Sequence, residues 1–157
     1  MCNINAKKFM QAAIQEAENN LITNDGGPFG AVIVKDGVII AKGHNEVLKN
    51  NDHAEIQAIR TACKALNTFD LNGCELYTSC YPCPMCLSAI IWANIKTVYY
   101  GNTAEDAAAI GFRDDFIYDF IKGNCSDEKV LALHSCEHNA AQITFKKFAV
   151  KKDKTIY

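Results

Sequence analysis

Asp36 and Gly37 join two apolar runs, AVIVK and VIIAK, and this two-residue link limits the fold more than any other feature of the chain. Asp-Gly suits the positive φ angles of a hairpin turn whose twist matches that of its strands, so the runs are predicted to pair as a tight antiparallel hairpin. After the hairpin, helical and strand patterns alternate. A helix opens at DHAE (52–55), CELYTS (74–79) has the length and composition of a strand, and PMCLSAIIWAN (84–94) reads as a buried helix. KTVYYG (96–101) reads as a strand and TAEDAAAI (103–110) as a helix. Ahead of the hairpin, Met10, Ala13, Ile14, Ala17 and Leu21 fall at helical spacing, predicting an amphipathic helix over about 5 to 20. A short aromatic segment FRDDFIYDFI, a weak strand KVLALHS and a C-terminal helix over about 138 to 150 follow. Strands that alternate with helices after a hairpin predict an α/β fold, a mixed five-stranded sheet in a three-layer α/β/α sandwich.

With 157 residues, 49% hydrophobic and 22% charged, the chain can fill one core but not two, so residues 1–157 are expected to form a single domain. The net charge of −2 lacks the basic excess of a protein that grips a phosphate backbone, and points to a small substrate rather than nucleic acid. The first twenty residues lack the pattern of a signal peptide, and no apolar run approaches the roughly 20 residues of a bilayer span. A cytoplasmic protein without membrane contact is expected. Thiols stay reduced in that compartment, so the eight cysteines are read as small buried side chains or as ligands.

The chemistry concentrates in two stretches. In NNDHAEIQAIR (50–60), Asp52 suits an N-cap and Asp52 with Glu55 has the spacing of a capping box, a pattern that leaves His53 unexplained. In TSCYPCPMCLSAI (78–90), Cys83 ends a strand-to-helix turn, Pro84 suits the first helical position, and Cys86 lies three residues on. Both sulfurs then face one way at a helix N-terminus, where the partial positive charge lowers thiol pKa. Two thiolates there form half of a zinc site, and His53 can supply a third ligand. Three ligands leave a fourth position for water, whose pKa the ion would lower toward about 7, and Glu55 could take that water's proton. Two other readings fit the same cysteines: a redox pair, or a closed structural zinc site with Cys80 as fourth ligand.

His53-Ala54-Glu55 followed by Pro82-Cys83-Pro84-Met85-Cys86 matches the H-x-E and P-C-x-x-C signature of zinc-dependent base deaminases. The chain resembles the cytidine and deoxycytidylate deaminase superfamily and, within it, the guanine deaminases. The likeness runs through GGPFGAVIVKDG (26–37), HAE, LYTSCYPCPMCLSAI (76–90) and GFRDDFIY (111–118). It implies a cytidine deaminase-like fold, one Zn2+ per chain on His53, Cys83 and Cys86, and hydrolysis of guanine to xanthine and ammonia with Glu55 as the proton carrier. By the same resemblance Phe29, Asn45, Asp114 and Tyr157 contact a purine base and Glu137 stands near the leaving amino group. A homodimer is implied too, with the segment from about 138 to 157 exchanged between subunits. Guanosine, cytosine and tRNA adenosine deaminases share the signature, and a non-catalytic zinc module would use the same ligands. Two departures stand out: only EVLKNND separates Asn45 from His53, shorter than is common, and Tyr81 replaces the usual Glu before the P-C pair.

Overall fold

The structure, a computed structural model, describes residues 4–156. It comprises two compact units, Met1–Asp114 and Asp115–Tyr157. In the first, helix α1 (Ile4–Thr23) precedes strands β1 (Gly30–Lys35) and β2 (Val38–His44). Asp36 and Gly37 join these strands with φ of 50° and 76°, the left-handed pair that the hairpin requires. A single helical turn, α2 (Val47–Asn50), leads to α3 (Ala54–Leu66), β3 (Cys74–Cys80), α4 (Pro84–Trp92), β4 (Thr97–Asn102) and α5 (Ala104–Ala109).

The strand order is β2-β1-β3-β4. β1 is antiparallel to both β2 and β3, whereas β3 and β4 run parallel, with α4 as the crossover that a parallel pair needs. The sheet is mixed, as expected, but has four strands among the described residues rather than five. KVLALHS is not a strand: Lys129 and Val130 lie in a turn and the rest is irregular chain, with Leu131 and Leu133 51% and 61% exposed. A strand is held by a partner's backbone groups, and the described residues of the second unit form only helices, turns and irregular chain.

Alternation along β1 directs two sets of apolar side chains to opposite faces. Ala31 and Ile33 pack with Leu76, with Ala54, Ala58 and Ala62 of α3, and with Ile90 of α4. Val32 and Val34 pack with Tyr77 and with Ala6, Phe9 and Ala13 of α1. Fully burying a Val, Leu or Ile side chain contributes about 1.5–3 kcal/mol, so these two clusters tie the sheet to α1, α3 and α4. The alanine row lets α3 lie close to β2. A Cβ on Gly43 would stand 2.3 Å from the Ala54 carbonyl oxygen, so glycine is what allows the start of α3 to press onto the strand.

The second unit contains α6 (Asp115–Lys122) and α7 (His138–Val150). Ile143, Phe145 and Val150 of α7 are exposed, and so are Cys125 and Cys136, which were expected to pack. Among the described residues, no helix is long and apolar enough to cross a membrane.

Candidate metal centre and active site

α3 begins one residue later than expected. His53, in extended backbone, is the N-cap, while Asp52 stands outside the helix and pairs with Arg60. The Asp52 carbonyl accepts the Glu46 amide at 2.8 Å, closing the short segment from Asn45 to His53 around α2. The shortness of EVLKNND is thus absorbed by one helical turn. No capping box forms: the N-cap His53 makes no side-chain capping bond, and the Asp52 amide donates to Oδ1 of Asn50. Glu55 is buried, 5% exposed, and its Oε1 accepts a hydrogen bond of 2.8 Å from the Thr78 hydroxyl on β3. The capping-box reading fails here because the side chain turns inward to the sheet.

α4 begins as the sequence predicts, with Cys83 as N-cap and Pro84 as the first helical residue. The two helix starts converge. Nδ1 of His53 lies 3.4 Å from Sγ of Cys83 and 3.5 Å from Sγ of Cys86. Zn–S near 2.3 Å and Zn–N near 2.05 Å at tetrahedral angles put N and S ~3.6 Å apart, so the imidazole already stands at zinc spacing from both sulfurs. His53, Cys83 and Cys86 are one of two groups of potential ligand atoms that lie close enough together to hold a metal among the described residues. The Cys83 thiol is pushed down to about 4 by the hydrogen bond from Cys86 and, after a desolvation cost, by the His53 ring. His53 is raised, chiefly by its hydrogen bond with Cys83. Cys86 is raised by sharing its proton with Cys83 and by burial. The shared hydrogen bond thus favours thiolate at Cys83 and thiol at Cys86, and a divalent cation would displace the proton between them.

Cys80 takes no part in this group. Its thiol is directed at the Thr103 carbonyl, 3.4 Å away, and burial pushes it up to about 11, away from thiolate. The closed site with Cys80 as fourth ligand therefore has no geometric support. The redox reading has none either, since it accounts for neither His53 against both sulfurs nor Glu55, whose Oε2 lies 3.3 Å from Sγ of Cys86.

Of the residues expected to contact a base, Phe29, Asn45 and Asp114 belong to the first unit. The Asn45 amide donates to the Phe29 carbonyl at 3.0 Å, and the Phe29 ring meets Phe112 edge to face at 5.0 Å. Asp114, two residues beyond Phe112, is close enough to contribute to the raised pKa of His53. Gly26 admits Asn45: a Cβ there would stand 2.0 Å from its Oδ1. Glu137 belongs to the second unit, where it is exposed and caps α7 in left-handed backbone, φ 53°. Tyr157 lies outside the described residues.

Sequence reasoning missed three supporting groups. Thr78 reads in sequence as an ordinary strand residue and gave no signal. Asn20, 3% exposed, donates from Nδ2 to the carbonyls of Gly27 at 2.8 Å and Asn45 at 2.9 Å, tying together the turn and the loop that carry Phe29 and Asn45. A buried Asn late in an amphipathic helix was the available clue. His44 lies 3.5 Å from Asp25 and 3.4 Å from Glu46, and Lys49 pairs with the same Asp25 at 2.8 Å.

Residues 3–102 match the model of the cytidine and deoxycytidylate deaminase zinc-binding region. A guanine deaminase from Bacillus subtilis is 46% identical over 156 residues, which cover 96% of this chain and 99% of that protein. The X-ray structure of guanine deaminase from Bacillus subtilis superposes with a TM-score of 0.89 at 43% identity, covering 98% of this chain and 99% of the other. A tRNA-specific adenosine deaminase from Aquifex aeolicus is 43% identical over 95 residues, 59% of this chain and 62% of that protein.

Proposed function

The chain belongs to the cytidine and deoxycytidylate deaminase family, and from that premise we propose that it is a zinc-dependent aminohydrolase that converts guanine to xanthine and ammonia. One observation carries the catalytic reading: His53, Cys83 and Cys86 converge with zinc spacing, and the buried Glu55 carboxylate lies beside them. Guanine is favoured over other bases because the similarity to a guanine deaminase runs through both units, whereas that to the tRNA-specific enzyme covers 59% of the chain.

His53, Cys83 and Cys86 would hold one zinc ion, and the starts of α3 and α4 direct partial positive charge at the thiolates. Zinc bound there supplies a nucleophile at neutral pH by lowering the pKa of water. Glu55 accepts the proton that water loses and delivers it to the ring nitrogen beside the amino-bearing carbon as the new C–O bond forms. The remaining hydroxyl proton then passes through the same carboxylate to the amino group. The C–N bond breaks, ammonia leaves and the carbonyl of xanthine is restored. Burial raises the Glu55 pKa, which suits a group that must hold a proton between these steps.

Phe29 and Asn45 would line the base site, with the Asp114 carboxylate accepting from N1–H and the 2-amino group of guanine. Glu137, assigned to the leaving amino group, has the strained left-handed backbone that recurs at functional positions. Tyr157 would complete the site from the chain end. The two apolar clusters on alternate positions of β1 support an α/β/α sandwich within one functional domain. The exposed Leu131, Leu133, Phe145 and Val150 support a homodimer in which the segment from about 138 to 157 is exchanged, since a single chain leaves these side chains in water. A cytoplasmic, metabolic role on a free purine fits the cysteines, which are free thiols among the described residues. Ammonia release from guanine, guanosine, adenine, cytosine and a tRNA anticodon stem-loop tests the assignment. Guanine is expected to dominate, and preference for the stem-loop would overturn it.

A further inference from the structure

Glu55 must present one carboxylate oxygen to the reacting water and keep it there through two proton transfers. A buried carboxylate on a flexible side chain does not hold such an orientation unaided. Its Oε2 lies toward the metal ligands, 3.3 Å from Sγ of Cys86, and its Oε1 lies on the sheet side. Thr78 meets that second oxygen. It is 1% exposed, and its Oγ1 donates to Oε1 at 2.8 Å. The donor is held on both sides, because Thr78 occupies an inner strand, paired with Ala31 of β1 on one side and Tyr100 of β4 on the other. Its β-branched side chain also has few χ1 choices. Thr78 shares its strand face with Leu76, which packs against α3, so the hydroxyl points at the helix that carries Glu55.

We propose that Thr78 is the positioning residue of this reaction, anchoring Oε1 of Glu55 so that Oε2 alone faces the metal and the substrate. The inference rests on the deaminase reading for its catalytic consequence and on the Thr78–Glu55 contact for its geometry. Thr78 holds Oε1 from the sheet side, so Oε2, the oxygen beside Cys86, is the one left to face the reacting groups.

Thr78→Val and Thr78→Ser separate the hydroxyl from its shape, valine being the near-isostere and serine keeping the donor. In the zinc-loaded protein, Thr78→Val should lower kcat for guanine about 10- to 100-fold, the usual effect of removing an orienting partner, with KM within about twofold. Thr78→Ser should restore most of the loss. In the Glu55→Gln background the valine substitution should cost less than about threefold, since residues that act as a unit are non-additive. The carboxylate infrared band of Glu55, isolated as the difference between wild type and Glu55→Gln, should shift in Thr78→Val and stay in place in Thr78→Ser. That measurement needs no turnover, so it decides the contact even if guanine proves not to be the substrate. Unchanged kcat in Thr78→Val, an equal loss in Thr78→Ser, full additivity with Glu55→Gln, or an unmoved band would each overturn the proposal.

Discussion

Glu55→Gln should stabilise the metal-free protein while abolishing most of its activity. The carboxylate is 5% exposed, and burial raises its pKa. A carboxyl whose pKa is higher in the folded state than in the unfolded chain is protonated when folded and ionised when unfolded between the two values. In that window the unfolded state binds fewer protons, so stability falls as pH rises. The slope is about 1.4 kcal/mol per pH unit, beginning near the ordinary carboxylate pKa of about 4.5 and ending at the raised one. Glutamine removes this slope. Its amide oxygen can accept from Thr78 as Oε1 does now, and its NH2 can donate toward Cys86, so the fold loses neither contact. Urea denaturation of chelator-treated protein at pH 5, 6 and 7 should show the advantage of Glu55→Gln over wild type growing by about 1.4 kcal/mol per unit until the raised pKa is reached. Turnover of the zinc-loaded variant should fall by about 10²- to 10⁴-fold, because an amide cannot carry a proton. A stability difference that shrinks as pH rises above the ordinary carboxylate range would refute the account of Glu55 as a carboxyl whose pKa burial raises. Retained turnover would refute its catalytic role.

X-ray absorption on the zinc-loaded protein should fit two sulfurs, one nitrogen and one exchangeable oxygen; a third sulfur would return Cys80 to the shell despite its bond to the Thr103 carbonyl. Gly26→Ala places a methyl group 2.0 Å from Oδ1 of Asn45, so it should raise KM for guanine about tenfold or more while zinc content is unchanged, as metal analysis and initial rates would show. An unaltered KM would remove Asn45 from the base site. Deleting residues 153–157 should lower guanine turnover far more than melting temperature, and mixing the truncated chain with Glu55→Gln should restore activity if tails are exchanged between subunits. Zinc affinity should rise with pH up to neutrality, because the proton held by the Cys83 and Cys86 pair and the one on His53 must leave, and titration at pH 6 and 7.5 would detect it.

The elements legible in the sequence were those whose cause is local. Asp36-Gly37 marks its own turn because few residues other than Gly, Asn and Asp adopt left-handed backbone cheaply. Pro84 marks the first turn of α4 because its fixed φ suits that position and its missing donor costs nothing there. The metal ligands were legible because a tetrahedral thiolate–imidazole site needs those residue types at helix starts, and few other uses combine them. Where two local signals competed, tertiary structure decided. Asp52 and Glu55 fit a capping box, yet Arg60 draws away the first and Thr78, on a strand distant in sequence, draws in the second. KVLALHS has strand composition but no ladder to join, and a strand exists only through its partner. Thr78 and the bond that excludes Cys80 gave no sequence signal, and Asn20 only its place late in an amphipathic helix, since each role lies in a contact between segments far apart in the chain. The sequence by itself determined which atoms could bind zinc and move a proton. The packing of α3 and α4 with one sheet decided which of those atoms meet, because a side chain's chemistry is local and its partner is not.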